Sequence, residues 1–252
     1  MAEGQSFEKH EAPVTKPETG PEVDIESVLE RGEIVDSRPL EGAERFDVVE
    51  IRDDGKGLFR PKESEARGRP LRVQLELLAR LISKTAELGV VPEVVMRTVN
   101  QEEGTLQRFL GEATPAVKLE DDCLREISDE ELFRAVLFEH LIKAADRKLA
   151  NIFLERTKKI WLTDHDDFMF ADAKEEWNQY NYMLGEAKRR GLKTEINDES
   201  REPLRRLVEA LERLLVDPRE IGVETVTPTL IKVITGVKQI AATVLETGTI
   251  SI

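Results

Sequence analysis

The sequence predicts an α+β chain of two lobes, a small β-rich N-terminal lobe with one helix and a larger, mainly helical C-terminal lobe. Three observations carry this reading. Residues 33–62 hold short β-type runs separated by turn residues. Leu71, Leu75, Leu78 and Ile82 then recur at the helical period, and from Ser128 apolar residues fall three and four apart through long segments. With 252 residues and 40% apolar side chains, the chain can bury a substantial core.

Residues 1–22 are rich in Pro, Glu, Gly and Lys, with Phe7 as the only aromatic, and read as a disordered acidic tail. They offer too little apolar surface to offset the entropy of ordering. The N-terminal lobe, residues 23–112, opens with the strand EIVDSRP, turns at PLEGAE, returns as RFDVVEI, turns again at RDDGKG and ends as LFRPK. Asp54-Gly55 in the second turn is a pair that favours tight hairpins. RPLRVQLELLARLISKTAELG is an amphipathic helix stopping near Gly89, VVPEVVMRTV a further strand, and GTLQRFLGEA a strand end running into a connector.

The C-terminal lobe, residues 113–252, contains a helix opened by Ser128 and Glu131 in capping-box spacing, with Leu132, Phe133, Val136, Leu137 and Leu141 on one face. NIFL and IWLT, separated by ERTKK, form a hairpin. Helices follow at about 173–190 and 199–215, and a last one is capped by Thr227, carries Pro228 in its first turn and stops at Gly248. Trp161, Trp177, Tyr180 and Tyr182 read as packing aromatics.

Composition excludes several functions. A net charge of −14 and a pI near 4.9 oppose binding to nucleic acid or anionic membranes, both of which need positive potential. The N-terminus has no apolar run after a basic start, and the most apolar late segment, LIKVITGVKQIAATVL, is interrupted by Lys232 and Lys238, so neither a signal peptide nor a membrane span is expected. A single cysteine, Cys123, precludes an internal disulfide and a Cys-based zinc cluster. It reads as an inert thiol and fits a reducing, cytoplasmic location.

The chemistry concentrates in AADRKLANIFLERTKKIWLTDHDDF, residues 144–168. Phosphoryl transfer from ATP needs a carboxylate near the acceptor hydroxyl, oxygen ligands for magnesium and a cation on the non-transferred phosphates. Kinases meet this need with an Asp, an Asn five positions later, and a second metal-binding Asp beyond a hairpin. Asp146 and Asn151 have that spacing, NIFLERTKKIWLT is the hairpin, and Asp164 closes it. The bland alternative is a set of solvated turn residues flanking a hairpin.

The segment LFEHLIKAADRKLANIFLERTKKIWLTDHDDF resembles the catalytic and metal-binding segment of phosphatidylinositol 3- and 4-kinase-like proteins, whose usual form is Asp-Arg-His-x-x-Asn, a hairpin, then Ile-Asp. It is closer still to small bacterial members that share features with the HipA and FAM20 kinases. The resemblance spans roughly residues 30–170 and implies a protein-kinase-like fold binding ATP and Mg2+. By it, Asp146 is the catalytic carboxylate, Asn151 and Asp164 hold the metal, and Glu76 pairs with the phosphate-binding cation. Gln107 and Phe109 lie near adenine in the linker between lobes, and Lys148, where the family has His, is either a cation beside the transferred phosphate or a solvated loop lysine.

Three departures from the family pattern stand out. The usual Lys-Pro is Arg60-Pro61, with Lys62 two residues beyond; the catalytic-loop His is Lys148; and Ala144 replaces the Asn before Asp-Arg. Arg and Lys are not equivalent at a phosphate site. Strand alternation would put Arg60 and Lys62 on one face if the strand runs through Pro61, so either could reach the phosphates. PLEGAERF has a single glycine, Gly42, and carries Glu41 and Glu44, unlike a glycine-rich phosphate loop. His140 reads as a packing residue, His165 as an organiser of backbone beside Asp164, and Asp166 or Asp167 as turn residues, one of which could support a second metal.

The functional expectation is an ATP-dependent phosphotransferase acting on a hydroxyl of a protein or small molecule, without nucleic-acid or membrane-inserted partners. The alternative is a nucleotide-binding pseudokinase or scaffold, and a third is a helical domain whose aspartates are incidental.

Overall fold

The computed structural model describes residues 24–41, 46–52, 55–62, 71–119, 123–144, 147–165, 181–221 and 227–250. The predicted tail, Gly42, Glu44, Asp54, Asp146, Asp166, Asp167, Trp177, Tyr180 and the first part of the helix expected at 173–190 lie outside these residues.

The N-terminal lobe is a five-stranded sheet in the order β1-β2-β3-β5-β4, built from β1 (Ile34–Pro39), β2 (Asp47–Ile51), β3 (Gly55–Pro61), β4 (Val94–Val99) and β5 (Glu102–Arg108). Every neighbouring pair is antiparallel. Alternation along the strands sends Val49, Phe59, Val95, Val99 and Leu106 to the outer face, where they pack with Leu29. The register places Val48, Leu58, Arg60, Thr105 and Gln107 on the inner face. Gly104 permits the closest approach in this sheet, since a Cβ there would lie 2.1 Å from the Arg60 carbonyl oxygen.

Two helices flank the sheet where one was expected. The anticipated helix is α2 (Arg72–Thr85), which buries Val73, Leu75, Glu76, Leu78, Ala79 and Ile82. The other, α1 (Ile25–Arg31), covers the outer face and is only seven residues long, too short for periodicity to betray it. Its N-terminus is capped by Asp24, and Arg97 of β4 donates to the carbonyls of Leu29 and Gly32 at its C-terminal end.

A three-stranded ribbon, β6 (Thr114–Pro115), β7 (Ile152–Leu154) and β8 (Ile160–Leu162), lies where the lobes meet. Leu162 N–H donates to the Val90 carbonyl at 2.7 Å, joining the ribbon to the segment that follows α2. Ser83 fixes that segment by accepting from the N–H groups of Val90 and Val91, each at 3.1 Å. Helix α3 (Asp129–Ile142) is capped by Ser128 as expected, but Glu131 completes no reciprocal box. Its carboxylate instead accepts from Ile160 N–H at 2.9 Å, pinning β8 to the helix.

Helix α5 (Asp198–Val216) buries Leu204, Leu207, Leu211 and Leu214, and α6 (Pro228–Thr247) begins at a Thr227 cap and ends at Gly248 in left-handed conformation. By length and composition α6 is apolar enough to cross a membrane, yet Leu230, Val233, Ile234, Val237, Ala241 and Val244 pack into the main core with α5. Tyr182, expected to pack, is exposed instead. It is the first residue of α4 (Tyr182–Arg190), whose buried face is taken by Met183, Leu184 and Ala187.

Arg97 is the polar latch on α1. Arg97→Ala should lower the local opening free energy of amides 25–32 by about 2 kcal/mol or more, the scale of hydrogen bonds from a charged donor, while α5 amides keep their protection. Native-state hydrogen exchange reads both.

Candidate active-site cleft

Three elements converge beneath the sheet: the end of β3, the helix α2, and the residues following β8. Arg60 comes from the inner face of β3 and is nearly buried. Its Nη1 lies 3.4 Å from Glu76 Oε1, and its guanidinium carbon is 4.2 Å from the centroid of the Phe46 ring. An arginine over an aromatic face gains a cation–π attraction, and the ring also shields it from water.

Glu76 sits in the second turn of α2, on the helix's buried face. Besides Arg60, its carboxylate accepts from the backbone N–H of His165 at 3.0 Å, and Oε2 lies 3.0 Å from His165 Nδ1. Burial pushes this carboxyl up, but the His165 ring, the Arg60 guanidinium and the His165 N–H together outweigh it and hold the pKa at about 2. The His165 ring is itself buried, edge-on to Phe138 of α3 with centroids 5.4 Å apart. Its role as a backbone organiser is thus given physical form, since one carboxylate grips both its ring and its amide.

Asp164 stands immediately before it with φ of 60°. This left-handed backbone costs a residue other than glycine about 1–2 kcal/mol. Asp164 Oδ1 accepts from Arg72 Nη2 at 2.6 Å and lies 3.8 Å from Arg60 Nη2. The side chain keeps about a third of its surface exposed (36%), so the carboxylate remains reachable from the cleft.

The segment that opens at Arg147 is anchored by that residue, whose side chain is 2% exposed. Its Nε donates to Glu139 Oε1 at 2.8 Å, and Nη1 donates to the carbonyl of Thr163. The other Glu139 oxygen accepts from Asn181 Nδ2 at 2.9 Å, bringing α4's cap into the same network. Removing one partner of so deeply buried a pair costs about 3–5 kcal/mol, because the other charge is left without compensation.

The remaining sequence candidates divide by location. Asn151 ends a short turn of 3-10 helix, with its carbonyl accepting from Thr163 N–H at 3.0 Å, and its side-chain amide makes no hydrogen bond among the described residues. Lys148, just before that turn, is exposed. Gln107 is half-buried on the inner face of β5, opposite Leu58. Phe109 lines an open cavity with Ile25, Val28 and Lys56. Lys62 lies just past the end of β3 at Pro61, and its ammonium pairs with Glu103 at 2.9 Å in a largely exposed bridge. Burial pushes the Cys123 thiol up, in keeping with its reading as inert.

Among the described residues no group of three or more His, Cys, Asp or Glu side chains is placed to hold a metal ion. Magnesium asks for less. It is held through one or two protein oxygens, with phosphates and water completing the shell. The Asp164 carboxylate and the Asn151 amide oxygen, reached from the ends of one hairpin, fit that demand in donor type.

No protein-family model matches the chain, and no curated protein matches it in sequence. Solved structures do match. The proinflammatory kinase CtkA of Helicobacter pylori aligns over 87% of this chain and 95% of its own, at 13% identity and a TM-score of 0.47. The Golgi casein kinase aligns over 88% of this chain and 75% of its own, at 10% identity and a TM-score of 0.52. The fold is that of a protein kinase.

In a kinase fold the ion pair between a β3 cation and a helix carboxylate organises the cleft. Arg60 and Glu76 likewise pair a β3 cation with a helix carboxylate, 3.4 Å apart. Sequence reasoning missed Arg72, Phe46, Glu139 and Gly104, whose roles depend on contacts between residues far apart in the chain. Only Arg147 left a sequence signal, as the Arg of the Asp-Arg pair.

Arg60 and Lys62 should differ sharply in stability. Arg60→Ala, which strips a buried carboxylate of one cation, should cost about 2–4 kcal/mol in urea unfolding, and Lys62→Ala less than about 1 kcal/mol.

The pH dependence of Glu76 has a definite sign. Its folded pKa of about 2 lies below the ordinary 4.5, so its stabilisation is complete above pH 4.5 and is lost as pH falls from 4.5 through 2. Between pH 5 and pH 3 the stability difference between wild type and Glu76→Gln should shrink by about 2 kcal/mol. Parallel stability curves for the two proteins over that range would remove Glu76 as a depressed carboxylate.

Proposed function

We propose that this protein is an ATP-dependent phosphotransferase that moves the γ-phosphate to a hydroxyl of a protein or small molecule. The observation that carries this reading is the meeting of Arg60, Glu76 and Asp164 in one cleft: a β3 cation held by a helix carboxylate, with the post-hairpin aspartate 3.8 Å from the same guanidinium. The narrower placement beside phosphatidylinositol 3- and 4-kinase-like proteins rests on the sequence motif around Asp146, Asn151 and Asp164.

In this reading Arg60 binds the α- and β-phosphates, steadied by Glu76. Asp146 accepts or orients the acceptor's proton, and Asn151 and Asp164 hold magnesium. When bound, the metal neutralises charge on the phosphates during transfer. Gln107, half-buried on the inner face of the sheet, meets adenine in this reading. The burial of Arg60 beside Glu76, against the exposed position of Lys62, supports Arg60 as the phosphate cation. A lipid acceptor fits poorly with a chain of charge −14, and a soluble acceptor in the cytoplasm is the proposed setting.

The test follows phosphate itself. Wild type incubated with γ-labelled ATP and Mg2+ should label itself, a screened acceptor or water. Asp146→Ala should cut that transfer on the order of a hundredfold or more, as for a lost general base, while sparing nucleotide affinity. Asp164→Asn should remove most of the magnesium-dependent rise in melting temperature produced by ATP. A wild type that binds ATP but transfers phosphate to nothing is the pseudokinase; one that binds no nucleotide refutes both readings.

A further inference from the structure

A chain of buried polar groups runs from the start of α4 to the hairpin that carries the motif. Asn181 donates from Nδ2 to Glu139 Oε2 at 2.9 Å. The other Glu139 oxygen accepts from Arg147 Nε at 2.8 Å, and Arg147 Nη1 donates to the Thr163 carbonyl. Thr163 is the junction of the proposed metal site: it directly precedes Asp164, and its N–H donates to the Asn151 carbonyl at 3.0 Å. Glu139, Arg147 and Asn181 are all buried, so a lost member is poorly replaced by water and the loss is felt by its neighbours.

Asn181 serves two masters. Its Oδ1 caps α4, accepting from the N–H groups of Met183 and Leu184 at 3.1 and 3.2 Å, while its amide nitrogen faces Glu139. The amide can sit only one way round, with two backbone donors at one end and a carboxylate at the other. The cap by itself asks for an acceptor, which Ser or Asp supplies as well. A side chain that must also donate to a carboxylate has to be an amide or its like. From this division we infer that Asn181 is a positioning residue for phosphoryl transfer: through Glu139 and Arg147 it sets the Thr163 peptide, and with it the Asn151 and Asp164 ends of the hairpin. The inference rests on the proposed phosphotransferase reading and brings α4, which carries none of the motif, into the geometry of the site.

Two variants separate the cap from the relay. Asn181→Ser keeps a capping oxygen but is too short to reach Glu139. In native-state hydrogen exchange its Met183 and Leu184 amides should keep their protection, while the Thr163 amide exchanges about tenfold faster, the scale of one hydrogen bond to a charged acceptor. Asn181→Asp keeps the cap and the size but sets a second carboxylate against Glu139. Glu139 raises the pKa of the introduced carboxyl, Arg147 and the two capped N–H groups oppose that rise, and its protonated form again donates to Glu139. Relative to wild type, kcat for phosphate transfer should be down about tenfold in both variants at about pH 8, and should recover in Asn181→Asp alone as pH falls to about 5.5. Melting curves at each pH establish that the proteins are folded at the assay temperature, where a cap with no further role leaves kcat unchanged. An unchanged Thr163 amide in Asn181→Ser, or wild-type kcat in both folded variants at the higher pH, overturns the inference alone, provided that wild type transfers phosphate. A wild type that transfers phosphate to nothing overturns the phosphotransferase reading and this inference with it.

Discussion

The cleft is organised by one buried carboxylate. Glu76 has three partners from two other parts of the chain: the Arg60 guanidinium on β3, and the ring and the amide of His165 beyond β8. A carboxylate this deeply buried is tolerable only with such compensation, and each partner is in turn fixed by the contact. The sheet, α2 and the post-hairpin segment therefore cannot settle independently. The nearby apolar packing sets how closely the elements approach, while Glu76 sets which side chains face one another.

Much of this was legible along the chain. The hairpin between Asn151 and Asp164 and the amphipathic period of α2 are local signals, and the helix ends at Ser128, Thr227 and Gly248 follow local capping rules. One expectation failed for a local reason. Tyr182 was taken as a packing residue because it is aromatic, although a helix's first residue has little of the helix surface to share. What stayed illegible was long-range: Arg72 meets Asp164 across 92 positions, and His165 meets Glu76 across 89. No local pattern encodes such pairings. α1 escaped for a different reason, being too short to show a period and too close to a polar tail.

The electrostatics also depend on placement rather than on total charge. A net charge of −14 repels a nucleotide at long range, so any attraction must come from cations shielded inside the cleft. Arg60 and Arg72 are such cations, and their low exposure limits the screening that reduces surface charges. The Lys62 bridge to Glu103 is the contrasting case, open to water and of little energetic weight.

Asp164 shows what this arrangement accomplishes. The carbonyl of Thr163 before it accepts from Arg147, and the N–H of His165 after it donates to Glu76 at 3.0 Å. Both peptide groups flanking the left-handed residue are thus held by buried charges, one whose own partner Glu139 lies on α3 and the other on α2. A conformation that costs about 1–2 kcal/mol persists because each clamp is worth at least as much. Since the clamps come from different helices, the direction of the Asp164 carboxylate reports the position of both. A displacement of α2 that broke the Glu76 contact would release the strained backbone, so the aspartate proposed to hold the metal is aligned only while α2 is seated.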